Sequence, residues 1–108
     1  MLDQEARFFV ESSSAFEEDL DAAARYRFQT AGKQSALKLL DSYEDAIDRL
    51  ELFPTYGPRL RGSLRWCEID NLVAIYEVDS KSRRVVMHRL YNMTSDWKRR
   101  ILDETKQK

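Results

Sequence analysis

Cysteine and histidine each occur once in the 108 residues, as Cys67 and His88. A single thiol forbids an intrachain disulfide, and one histidine beside one cysteine leaves no cluster for zinc. Glycine (3) and proline (2) are scarce, so there is neither a glycine-rich phosphate loop nor a long flexible linker. No apolar run approaches the roughly 20 residues that cross a bilayer. The opening MLDQEARFF is acidic before it is apolar, unlike a secretory leader. A soluble, cytoplasmic protein with no membrane contact is expected. Hydrophobic residues make up 43% and charged residues 34%, a globular balance. One domain spanning 1–108 is expected, large enough to bury about two-thirds of its unfolded surface.

The net charge of −1 hides a division. Residues 1–54 carry 6 Lys and Arg against 12 Asp and Glu, and residues 55–108 carry 12 against 7. The first half is therefore net −6 and the second net +5. Two readings fit: the basic half meets an anionic partner, or two oppositely charged layers attract each other within one fold.

Hydrophobic spacing predicts the elements. ARFFVES at 6–12 reads as a strand with Phe8 and Val10 on one face and Phe9 on the other. Ser14 followed by Glu17 has the form of a capping box, and Phe16, Leu20, Ala23, Ala24 and Phe28 mark the apolar stripe of the helix it opens. Gly32 stops that helix. A second helix over 33–53 follows, with Ala36, Leu40, Tyr43, Ile47 and Leu50 stepping by 4, 3, 4 and 3. Pro54 ends it. After the Thr55–Pro58 turn the period changes to that of strands: Ser63–Ile69, then LVAIYEV at 72–78, then RVVMHRLY at 84–91. Asp70-Asn71 suits a two-residue hairpin turn, because both tolerate positive φ. Thr94 or Ser95 is expected to cap a last helix that Trp97 and Ile101 dock onto the sheet. The order β-α-α-β-β-β-α predicts an α+β domain: an N-terminal strand, a helical hairpin, a three-stranded antiparallel meander and a C-terminal helix.

With these pieces in place, the chain resembles the RelE/ParE superfamily of toxins from type II toxin–antitoxin systems. The resemblance runs from about Phe8 to Trp97. It rests on Leu52-Phe53-Pro54 with Gly57, Leu64-Arg65, Tyr76-Glu77-Val78-Asp79, and Arg89 followed by Asp96-Trp97. It implies a toxin silenced by a cognate antitoxin, with the helices on one side of the sheet and the working face on the other. It also implies one of two activities. RelE-like members cut mRNA on the ribosome without a metal or small-molecule cofactor: the substrate's 2′-OH attacks the adjacent phosphate, and the protein supplies a base or a positioning group, and cations. ParE-like members poison DNA gyrase without catalytic residues.

The candidate residues follow from where phosphate charge would be met. Arg59, Arg61 and Arg65 share one side if the segment around them is extended, and so could face a phosphate-rich surface. They also fit a charged edge strand, and Arg65 fits a structural role. Arg89 and Tyr91, two apart on the last strand with Met87 and Val85 beneath them, form the most catalytic-looking pair. Arg61, Arg65, Arg89 and Tyr91 are therefore the candidate catalytic set. Arg59 and the basic run Lys98, Arg99, Arg100, with Lys106 and Lys108 beyond, are candidate contacts to nucleic-acid backbone. His88 alternates away from Arg89 and reads as a packing or surface residue. Cys67 reads as an unreactive, half-buried thiol, and Trp66 and Trp97 as core or partner anchors. Glu17, Glu18, Asp19 and Asp21 read as a solvated helix face. Asn92 stands where many relatives carry His or Tyr, and Trp66, Cys67 and Glu68 stand where RelE-like nucleases place lysines. Both departures favour a catalytically silent protein-binding module, either a gyrase inhibitor or an inactive toxin homologue retained for repression.

Overall fold

A computed structural model describes residues 7–106. The first strand, β1 (Phe9–Ser12), is followed by helices α1 (Ser14–Ala31) and α2 (Lys33–Leu52). Strands β2 (Arg59–Arg61), β3 (Leu64–Ile69), β4 (Leu72–Asp79) and β5 (Arg84–Asn92) and helix α3 (Trp97–Lys106) complete the chain. The expected order is present, with one addition: the short strand β2 extends the meander. The sheet runs β1-β5-β4-β3-β2, with β1 parallel to β5 and all other neighbours antiparallel. Of the 6–12 strand, Ala6 lies outside the described residues. Phe9 points outward, 64% exposed, while Phe8 and Val10 pack against the core.

The cap of α1 sits one residue earlier than the Ser14 reading. Ser13 is extended, and its hydroxyl accepts from the Phe16 N–H at 3.1 Å. The same hydroxyl donates to the His88 carbonyl, which ties the cap to β5 and so selects Ser13 over its neighbours. Gly32 joins the helices at φ +90°, a conformation that favours glycine. Most of each expected stripe faces the core: Phe16, Ala36 and Leu50 are buried, and Leu20, Ala23, Ala24, Tyr43 and Ile47 pack beside them. The exceptions are Leu40, exposed while Leu39 and Ala46 are buried, and Phe28, which is 57% exposed. The reason is geometric: two packed helices share one narrow seam, so the outer members of a wide stripe stay at the surface.

β4 separates two cores. Ala74 and Tyr76 face the helical hairpin with Phe16, Leu39, Leu50 and Met87. Val73 and Ile75 face the opposite side, where Trp97 and Ile101 of α3 seat against them and Tyr91. Burial on both faces explains why β4 is an almost unbroken apolar run rather than an alternating one. Asp70 and Asn71, at φ 46° and 70°, make the β3–β4 turn as the sequence indicates. Arg27 of α1 ion-pairs with Asp70 and locks that turn to the hairpin. Among the described residues, no helix is long and apolar enough to cross a membrane.

The turn after Pro54 is held from inside the sheet. The buried Tyr76 hydroxyl accepts from the Gly57 N–H at 3.0 Å, and Arg65 donates to the Gly57 carbonyl at 2.7 Å and to Thr55 at 3.2 Å. Tyr76→Phe would leave that buried N–H without a partner, and a loss of about 1–3 kcal/mol is expected in chemical denaturation. Stability unchanged within about 0.5 kcal/mol would mean that the bond is not needed. Cys67 is buried at 3% exposure rather than half-buried, and burial raises its thiol pKa. Iodoacetamide should therefore modify it in unfolding denaturant and leave the folded protein untouched over the same period. Rapid native labelling would contradict this placement.

Candidate functional site

The three early arginines do not share a side. The chain turns back at Gly62 and Ser63, so β2 pairs with β3, with Arg59 opposite Arg65 and Arg61 opposite Leu64. The extended segment on which the alternation depended is thereby cut in two. Arg59 and Arg65 line a shallow depression with Thr55, Ser63 and Ser80. Arg61 instead lines a cleft of about 600 Å³ that runs between β2, β4, β5, α1 and α3.

A β-bulge shapes the other wall of this cleft. Ile75 pairs with Arg89 but Tyr76 pairs with Met87, so His88 is the extra residue. The bulge reverses the expected alternation. Met87 and Val85 do not lie beneath Arg89 and Tyr91; they enter the hairpin-side core. His88 does not point away from Arg89; both line the same cleft. The Glu77 carboxylate holds His88 Nε2 at 2.9 Å and accepts from the Ser63 hydroxyl at 2.8 Å.

Arg89 is fixed on one edge and open on the other. Its Nε donates to Asp19 at 2.8 Å and one terminal nitrogen reaches the same carboxylate at 3.4 Å, while the Leu90 N–H also donates to Asp19. The remaining nitrogen stands 3.9 Å from Glu104. The bond to Asp19 raises the pKa of a guanidinium that is already permanently charged. Any structural anchoring of Arg89 therefore goes to Asp19 of α1, not to Asp96, which pairs with Arg99 at 3.3 Å. Tyr91 lies under Arg89 and Arg100, 5.4 and 5.6 Å from its ring centre, and donates to Glu104 at 3.1 Å. Burial first, and the Glu104 carboxylate second, raise its phenol pKa. Its hydroxyl is thus engaged as a donor in this structure.

The cationic run divides as well. Arg100 stacks on Tyr91, Lys98 lies 5.8 Å from the Trp97 ring, and Lys98 and Arg99 line a second depression with Arg61. Lys106 closes α3, and Lys108 lies outside the described residues. Neither Thr94 nor Ser95 caps α3. Both bond to Asn92 in the turn that ends β5, which is the use this chain makes of that position. Three groups that build the site were not legible in the sequence. The bulge that places His88 has no local signature. Asp19 reads as one more helix carboxylate until α1 is laid over β5, and Glu104 reaches Tyr91 and Arg89 only once α3 is docked. Among the described residues, no group of three or more His, Cys, Asp or Glu is placed to hold a metal ion.

Several solved toxin–antitoxin structures share this fold. A chain of the chromosomal ParDE system of P. aeruginosa matches with a TM-score of 0.66 at 15% identity, over 81% of this chain and 97% of that one. The archaeal RelE–RelB complex of Pyrococcus horikoshii gives 0.56 at 13% identity, over 82% and 97%. The RelBE2 complex of Mycobacterium tuberculosis gives 0.50 at 18%, over 80% and 98%. No curated protein matches the chain significantly. The family model for the ParE toxin of the type II toxin–antitoxin system parDE matches residues 10–92, ending at the last residue of β5. That match spans most of the sequence, and the chain belongs to the ParE toxin family of type II toxin–antitoxin systems.

Proposed function

We propose that this toxin is a ribosome-dependent mRNA endoribonuclease that uses no metal and is held silent by a cognate antitoxin. One observation carries the nuclease reading: β2 and β5, which are not neighbours in the sheet, each bring an arginine to one open cleft, Arg61 and Arg89. Two arginines lining one cleft from separate strands suit a phosphate whose charge grows as the neighbouring 2′-OH attacks it. Asp19 fixes the guanidinium of Arg89 in place, so little reorganisation is needed when substrate arrives. The antitoxin partner is supported by the similar structures, which are toxin–antitoxin complexes. Exposed Tyr26, Phe28 and Phe53 offer apolar anchoring points for such a partner.

A second reading, a ParE-like gyrase inhibitor, is favoured by a different observation. Arg89 and Tyr91 already have carboxylate partners in Asp19 and Glu104. Cell-free translation run beside a gyrase supercoiling assay separates the two. The nuclease reading expects translation to fail with ribosome-bound messages cut, and supercoiling to continue. Intact messages with gyrase-dependent DNA breakage would replace it with the inhibitor reading. Co-expression with the neighbouring small open reading frame is expected to restore growth and to yield a co-purifying complex. Toxicity unaffected by that partner would remove the antitoxin assignment.

A further inference from the structure

We infer that His88, oriented by Glu77, is the general base that takes the proton from the attacking 2′-OH; this rests on the nuclease reading above. The carboxylate of Glu77 can only accept hydrogen bonds, so in the neutral ring the nitrogen facing it, Nε2, carries the proton. Nδ1 is then the lone-pair nitrogen, and it makes no hydrogen bond among the described residues. The second Glu77 oxygen is held by Ser63, so the carboxylate is itself pinned and the ring is aimed by a fixed partner. The charged groups around it are Arg61 of β2, Arg89 of β5 and Glu104 of α3, which line the same cleft. The bulge that admits an extra residue into β5 is the device that puts base and phosphate-binding cation side by side.

In the step this geometry supports, Nδ1 accepts the 2′-OH proton and the 2′-oxygen bonds to phosphorus. The P–O5′ bond breaks, its electron pair goes to the 5′-oxygen, and that oxygen takes a proton from solvent. The products are a 2′,3′-cyclic phosphate and a 5′-hydroxyl. Arg61 and Arg89 meet the charge on the non-bridging oxygens. Tyr91 is unsuited to the role of base, since its hydroxyl is engaged as a donor to Glu104.

Single-turnover cleavage of ribosome-bound message tests this with two variants. His88→Gln keeps a donor for Glu77 and removes the base; His88→Ala removes both. Each is expected to slow cleavage by roughly 10²–10⁴-fold. Added imidazole is expected to restore part of the rate in His88→Ala and none in Arg89→Ala. A wild-type rate in His88→Gln, or an inactive His88→Ala that imidazole leaves unchanged, overturns the assignment of the base while the nuclease reading stands. A wild-type protein that cuts no ribosome-bound message overturns both together.

Discussion

Replacing Arg89 by alanine is expected to cut single-turnover cleavage of ribosome-bound mRNA by roughly 10²–10³-fold, equivalent to about 3–4 kcal/mol of lost transition-state stabilisation. The expectation follows from the asymmetry of its contacts. Asp19 occupies one edge of the guanidinium at 2.8 Å, and the other edge faces the cleft with Glu104 no closer than 3.9 Å. A phosphate can displace so loose a contact, because a charge-assisted pair at normal hydrogen-bond distance is much the stronger. The variant should remain folded and should still bind the antitoxin. Asp19→Asn separates the two roles that Arg89 could play. If Arg89 serves mainly to tie α1 to β5, Asp19→Asn and Arg89→Ala will lower the melting temperature and the rate in parallel. If Arg89 meets the phosphate, Arg89→Ala will lose far more rate than Asp19→Asn at similar stability. Parallel losses of stability and rate in both variants would sink the catalytic role.

Gly57→Ala is expected to be the most damaging single-methyl change in the fold. A Cβ there would stand 2.1 Å from the Trp66 carbonyl oxygen and 2.7 Å from the Tyr76 hydroxyl. The first of these is backbone in β3 and cannot swing aside, so either the turn or the strand must move. Moving the turn breaks the bonds that Tyr76 and Arg65 make to Gly57. A loss of about 2–4 kcal/mol is expected, with a fall in Tm of roughly 10 °C or more for a domain of this size. Thermal and urea denaturation read it directly. A variant within about 0.5 kcal/mol of wild type would mean that the turn is not clamped as described.

The order of elements was legible because each rests on a local signal. Gly32 and Pro54 punctuate the helices, Asp70-Asn71 makes its turn, and the Trp97–Ile101 spacing docks α3. What could not be read depends on pairing between segments far apart in the chain. Ser13 rather than Ser14 caps α1 because its hydroxyl also meets His88 in β5. The Arg59–Arg65 set divides because β2 folds back on β3. His88 joins Arg89 because one residue of β5 has no partner in β4. A period-of-two argument assumes an unbroken ladder, and the candidate site lies where two ladders are interrupted, at the bulge in β5 and the irregular pairing of β2 with β3. The sequence therefore showed Arg61, Arg89 and Tyr91 as residue types suited to phosphate chemistry. It gave no warning of Asp19, Glu77 and Glu104, whose carboxylates decide which of those groups are available.

The most direct measurement is the chemistry of the ends produced when purified toxin meets message held in the ribosomal decoding site. Upstream fragments ending in a 2′,3′-cyclic phosphate, absent without ribosomes and absent when the scissile nucleotide is 2′-deoxy, are the predicted result. Intact message under conditions in which the same preparation arrests growth would contradict it.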